Sequence, residues 1–211
     1  YWEIWNEPDI ETDEEPVHHM WLGTRQQFFD LFKTTVKHLN ARFPELKIGG
    51  PALCWDRSFM ADLLKQCKAE GIRPAFMSWH SYPNDPELLR ERARAFRKIA
   101  DDAGFPGIES IDDEWNYNEG WGKAFLPSIE RIPSYAAASF CMSMMLVGQQ
   151  EPVDMMMYYD LRPASVFNGV FNVLTRKVEK PYWAFLAFRR LVEAGTEVKS
   201  VLDGEKDGVT A

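Results

Sequence analysis

The chain has 211 residues, 45% hydrophobic and 27% charged, which is the composition of a folded globular chain and excludes a disordered one. Its 24 Lys and Arg against 32 Asp and Glu give a net charge of −8, and the single basic stretch, Arg90 to Lys98, is interrupted by Glu91 and apolar residues. Neither nucleic acid nor an anionic membrane surface is expected as a partner, and no apolar run approaches the roughly 18 residues that cross a bilayer.

In chain order, Tyr1 to Trp5 reads as a strand, followed by an acidic, proline-containing loop to about Thr24. Phe28, Phe32, Val36, Leu39 and Phe43 recur at helical spacing from Arg25 to Phe43, and Pro44 stops the pattern. Leu46 to Gly50 is a second strand. Ser58 is placed to cap a helix carrying Phe59, Leu63, Leu64 and Cys67, with Gly71 as its stop. Pro74 to His80 is a third strand, and Asp85-Pro86 opens a helix to about Ala103, because Asp caps and Pro suits the first helical position. Ile108 to Asp113 is a fourth strand, Ser134 to Val147 a helix ended by Gly148, and Val153 to Tyr159 a fifth strand. Tyr182 to Ala194 is a last helix, and Glu197 to Leu202 has the pattern of one more strand.

Strands that alternate with helices imply a parallel sheet with right-handed crossovers. Two α/β architectures meet that description: an open doubly wound sheet, or part of a (β/α)8 barrel. No GxGxxG follows any strand, which weakens the dinucleotide-binding version. A complete barrel takes about 250 residues and eight units, so the barrel reading makes this chain the C-terminal portion.

Cys54, Cys67 and Cys141 are three, at no metal or disulfide spacing, and read as core thiols that lean towards a reducing, cytoplasmic compartment. His18, His19, His38 and His80 form no HExxH-type pattern, so no metal or other cofactor is expected. In α/β barrels the working residues lie at the carboxyl ends of strands. Here those ends read Trp5-Asn6-Glu7-Pro8, Ser78-Trp79-His80-Ser81-Tyr82 and Asp113-Glu114-Trp115-Asn116-Tyr117. Two glutamates on different strand ends, each beside Asn and Trp, suit cleavage of a glycosidic bond. One carboxylic acid protonates the leaving oxygen, and one carboxylate attacks or activates water from the opposite face. The high aromatic share, 14%, leaves rings to spare for sugar C–H faces.

Trp2-Glu3-Ile4-Trp5-Asn6-Glu7-Pro8-Asp9 resembles the Asn-Glu-Pro signature that ends strand four in the large retaining clan of (β/α)8 glycosidases, and most of all glycoside hydrolase family 39, with its β-xylosidases and α-L-iduronidases. Gly49-Gly50-Pro51-Ala52 resembles that family's segment after strand five, Ser78-Trp79-His80-Ser81-Tyr82 its strand six, and Asp113-Glu114-Trp115-Asn116 its strand seven. The resemblance implies that the chain holds strands four to eight, with residues 1–195 a partial catalytic barrel and 196–211 the start of a further strand or β-domain. It implies a retaining glycosidase acting on xylosidic or related sugars, with Glu7 as general acid/base and Glu114 as nucleophile. Asn6 would bind the sugar 2-hydroxyl, His80 and Tyr82 would line the pocket, and Trp115, Asn116 and Tyr159 would add sugar contacts. Its strand eight departs from the family pattern, with Tyr158-Tyr159-Asp160-Leu161-Arg162 where a Trp-containing segment is expected, and Arg162 is either a brace for its loop or a partner for a uronic carboxylate.

Strand alternation places Asp112 and Glu114 on one face and Asp113 on the other. Trp5 is expected as barrel filling, Trp79 and Trp115 as core or sugar platform, His18 and His19 as solvated surface, and the run Asp9 to Glu15 as a hydrated loop or a rim over the substrate. Exposed sheet edges lead to an expectation of self-association and of an inactive chain in isolation. The rival reading from another class is a non-catalytic carbohydrate-binding protein.

Overall fold

The computed structural model describes residues 1–10, 20–196 and 198. Their contacts divide the chain into two units, one made of Tyr1–Ser81, Glu91–Trp115 and Pro152–Met157, the other of Tyr82–Arg90, Asn116–Glu151 and Tyr158–Ala211.

In chain order the elements are β1 (Trp2–Glu3), α1 (Arg25–Arg42), β2 (Ile48–Leu53), α2 (Arg57–Ala69), β3 (Phe76–Ser81), α3 (Glu87–Asp102), β4 (Glu109–Trp115), α4 (Phe125–Arg131), α5 (Tyr135–Gln150), β5 (Met155–Tyr158) and α6 (Lys180–Ala194). The strands form one sheet in the order β1-β2-β3-β4-β5, with β1–β2, β2–β3 and β3–β4 parallel. A doubly wound sheet reverses direction at a switch point, whereas this one runs sequentially with a helical connection at each step. That order is the one found in a (β/α)8 barrel, and it excludes the open-sheet alternative.

Local chemistry explains the element ends in the first unit. Thr24 and Gln27 close a capping box on α1. Asp56, not Ser58, caps α2: its carboxylate accepts from the amides of Ser58 and Phe59, so the helix starts one residue before Ser58. Asp85 accepts from the Glu87 amide at the start of α3, as expected of an Asp-Pro opening. Gly49 is required by contact, because a Cβ there would lie 2.3 Å from the Phe76 carbonyl on β3. Between sheet and helices Phe28, Phe32, Phe59, Leu63, Met77 and Trp79 are fully buried. Phe59 meets Phe28 and Phe29 at 5.5 and 4.9 Å, so Phe59→Ala would cost about 3–5 kcal/mol.

β3 and β4 carry the irregularity that matters most. Trp79 pairs with Asp112, but the next residue, His80, pairs with Glu114, so Asp113 is an extra residue in β4. A bulge of this kind re-aims side chains next to it.

In the second unit α5 and α6 pack together. Ser134 caps α5, and Gly195 ends α6 at φ +72°. Gly148 does not stop α5 and lies buried inside it, and the short helix α4 was not signalled by any periodicity. No helix among the described residues is long and apolar enough to cross a membrane. Most of the expected strand from Glu197 to Leu202 lies outside the described residues.

Candidate active site

At the carboxyl ends of β1, β3 and β4 the first unit gathers Glu3, Glu7, Ser78, His80, Asp113 and Glu114. Glu7 reaches this position on an unusual backbone, with φ +48° at Glu7 and +73° at Trp5, in the left-handed region that non-glycine residues rarely adopt. The Glu7 amide is tied to the Ala52 carbonyl of β2 at 3.0 Å, which fixes the turn. His80 Nδ1 donates to Glu7 Oε1 at 2.8 Å, and its Nε2 lies 3.8 Å from Asp113 Oδ2. One oxygen each of Glu7 and Glu114 and one nitrogen of His80 all lie within 4.8 Å of one another. His80 is buried, while Glu7, Asp113 and Glu114 are half-buried.

Three acids round one imidazole set its charge. Burial pulls the His80 imidazole down, but hydrogen bonds to Asp113 and Glu7 and the charges of Asp113 and Glu114 outweigh it and push it up to about 10. The ring is therefore an imidazolium at neutral pH, with both nitrogens donating. Glu7, His80 and Glu114 are near enough together to be weighed as a cation site. A cation would have to displace the His80 proton, and the trio is an acid–base arrangement as it stands. Beside it, burial first and then the charges of Glu7 and Asp9 push the Cys54 thiol upward, so Cys54 is a neutral S–H next to Glu7 and no nucleophile.

Comparisons with known proteins follow the same residues. The profile of glycosyl hydrolases family 39 matches residues 1–101, which include Glu7 and His80. A β-xylosidase from Caldicellulosiruptor saccharolyticus is 32% identical over 85 residues, covering 40% of this chain and 16% of that protein. A β-xylosidase from Geobacillus stearothermophilus is 22% identical over 90% of this chain and 41% of its own length. The crystal structure of a GH39 enzyme from Xanthomonas axonopodis pv. citri superposes with TM-score 0.72 at 22% identity, over 90% of this chain and 40% of that one. The chain is glycoside hydrolase family 39-like. It spans about two-fifths or less of the length of these relatives.

Within this family 39-like chain the structure separates the expected site residues. Glu7, His80 and Glu114 come together as anticipated, and Asn6 is exposed next to Glu7. Trp115 does not reach an open face, being 2% exposed, and Trp79 is core, stacked on Phe96 at 5.2 Å. Trp5 is exposed, edge-on to Trp21 and bonded to the Met20 carbonyl, and fills no interior. Alternation fails at the bulge: Asp113 shares the His80 neighbourhood with Glu114, and Asp112 is wholly buried near the Arg92 charge.

Asp9 does not rim a cleft. It is buried and accepts from the amides of Cys54, Trp55 and Asp56 at 2.9, 2.8 and 2.8 Å, filling a nest of backbone N–H groups. The rest of the acidic run, with His18 and His19, lies outside the described residues.

The second unit holds Tyr82, Asn116 and Tyr159. Asn116 is buried with every polar atom in use: Nδ2 donates to the carbonyls of Tyr159 and Phe167, and Oδ1 accepts from the Tyr117 amide. It braces two loops, and both of its N–H donors are taken up by them. Tyr82 and Tyr159 are half-buried against Phe167, Tyr82 also meeting the exposed Trp121 edge-on at 5.1 Å. Arg162 braces its own loop through Asp160 and the Tyr159 hydroxyl.

Residues that sequence reasoning passed over are Glu3, Ser78, Cys54 and Asp113. The alternation of β1 was the available signal for Glu3, since it lies four residues before Glu7 in an acidic strand end. Nothing in the sequence announced the bulge that brings Asp113 in.

Proposed function

We propose that the protein carrying this chain is a retaining glycoside hydrolase, with Glu7 as acid/base and Glu114 as nucleophile, acting on β-xylosides or closely related sugars. The observation that carries the reading is the approach of one Glu7 oxygen to one Glu114 oxygen within 4.8 Å. Retaining enzymes hold their two carboxyl groups about 5–5.5 Å apart, whereas inverting ones need about 6.5–9.5 Å to admit a water. The naming of two relatives as β-xylosidases supports the choice of sugar.

In the first step a Glu114 oxygen bonds to the anomeric carbon as the glycosidic C–O bond breaks, and Glu7 gives its proton to the departing oxygen. Because Glu7 Oε1 accepts from His80, the mobile proton rides on Oε2. In the second step Glu7 takes a proton from water, the water oxygen bonds to the anomeric carbon, and Glu114 leaves as carboxylate. His80 is a positioning residue in this scheme, fixing the rotamer of Glu7.

The test is turnover of an aryl β-xyloside by the Glu114→Ala variant, with and without azide. The expected result is a loss of about 10³-fold or more, with azide restoring release of the aryl group and giving a glycosyl azide of inverted configuration. An unchanged rate in Glu114→Ala would contradict the assignment.

A further inference from the structure

Below the catalytic pair lies a second pair of acids with no assigned purpose. Ser78 Oγ accepts from the Ala52 amide at 2.8 Å, so its single proton is free to be donated, and it goes to Glu3 Oε1. That leaves Oε2 as the only place on Glu3 for a proton. The Asp113 carboxyl is within hydrogen-bonding reach of Glu3, and its Oδ1 is buried without a donor. Its Oδ2 faces His80 Nε2 at 3.8 Å. Two ionised carboxylates this close repel one another, and one proton shared between them relieves both the repulsion and the orphaned acceptor.

We propose that Glu3 and Asp113 share one proton and act as a positioning pair, presenting a single negative charge to His80 Nε2 so that Nδ1 stays protonated and aimed at Glu7. The inference rests on the acid/base reading of Glu7 and adds a device behind it. The groups that face the pair are Ser78 and His80 from β3 and, from β4, the buried Asp112, held up by its burial and by the Asp113 charge; His80 in turn faces Glu7 and Glu114. Glu3 is exposed as a residue, yet its carboxyl sits among these groups. Burial first, then the charge and hydrogen bond of Asp113, hold it up to about 8, against smaller lowering by Ser78 and His80. The shared proton therefore persists at neutral pH and leaves as the pH rises through about 8.

Infrared spectroscopy of the full chain labelled with ¹³C-glutamate reads this proton directly, independently of turnover. Because the acid Glu7 contributes a band of its own, the readout is the difference between wild type and Glu3→Gln: the expected result is a protonated-glutamate C=O component near neutral pH that fades as the pH passes about 8 and is missing from Glu3→Gln. In Asp113→Asn the partner charge is gone, so the band should fade at least one pH unit lower, a tenfold or greater change in proton affinity. The NMR signals of labelled His80, assigned with His80→Gln, should match wild type near neutral pH in Glu3→Gln, which mimics the protonated acid. Glu3→Ala should disturb them. Spectra of wild type and Glu3→Gln that do not differ, or an Asp113→Asn variant whose component keeps the wild-type midpoint, would each overturn the pair. Because none of these readouts needs a substrate, loss of the glycosidase reading would show separately, in the azide experiment.

Discussion

At the amino ends of the strands in the first unit the cationic side chains already have acceptors. Lys47 meets Glu109 and the Tyr1 hydroxyl, Lys68 donates to the Gly104 carbonyl at 2.9 Å, and Arg97 donates to the Ile108 carbonyl at 2.8 Å. At the carboxyl ends of the same sheet Glu3, Glu7, Asp113 and Glu114 crowd round the one imidazolium of His80. Exposed matched pairs add little to stability and are easily lost. Crowded acids are costly to hold together, and clusters of that kind are where perturbed proton affinities serve chemistry. One end of the sheet carries cations that already have acceptors, and the other crowds acids round a single buried imidazole.

Breaking the crowded end should have the largest effect. Glu7→Gln should slow hydrolysis of an alkyl xyloside, which needs its leaving oxygen protonated, by about 10²–10⁴-fold. A nitrophenyl xyloside, whose leaving group needs little help, should lose much less. Equal losses on both substrates would remove Glu7 from the acid role. His80→Gln should come next, at about 10² in kcat from misplacement of Glu7, with KM changing less than kcat.

The same variant sharpens the comparison through pH. The His80 affinity is raised in the folded state, from 6.5 to about 10, so its contribution is full below about 6.5 and is lost as the pH rises through about 10. Glu3, raised from 4.5 to about 8, gives a fall of the same sign between about 4.5 and 8. Urea midpoints of wild type should therefore drop from neutral to alkaline pH, and His80→Gln should flatten the fall above about 7. A parallel fall in both proteins would place the effect elsewhere.

A smaller effect tests the support beneath the site. Asp9→Ala leaves three backbone amides without their acceptor and should destabilise the fold by about 2–4 kcal/mol in urea. A loss under about 1 kcal/mol would mean that the nest is not what holds the β1 turn to α2. Smallest of all, Lys47→Ala at the matched end should leave the melting temperature and the turnover unchanged within error.

Much of the fold was legible because helix periodicity and stop signals are local. Phe28, Phe32 and Val36 marked α1, and Asp85-Pro86 opened α3. The catalytic candidates were legible for another reason: Asn6-Glu7-Pro8 and Glu114-Trp115-Asn116 put glutamates at strand ends, and a motif survives small errors in element boundaries. What escaped depended on partners distant in sequence. Asp9 looked like loop charge because its acceptor role needs the amides of Cys54, Trp55 and Asp56. Asn116 looked like a sugar ligand because the carbonyls that use it come from Tyr159 and Phe167. Asp113 was misplaced because alternation assumes a regular strand, and the register skips at His80.

That skip makes Asp113 the rival of Glu114, since both acids stand near His80. The most direct measurement is inactivation by a 2-deoxy-2-fluoro xyloside with an activated leaving group, followed by mass mapping of the labelled peptide. The account predicts one fluorosugar per chain, esterified to Glu114. A label on Asp113, or no covalent adduct despite turnover, would contradict it.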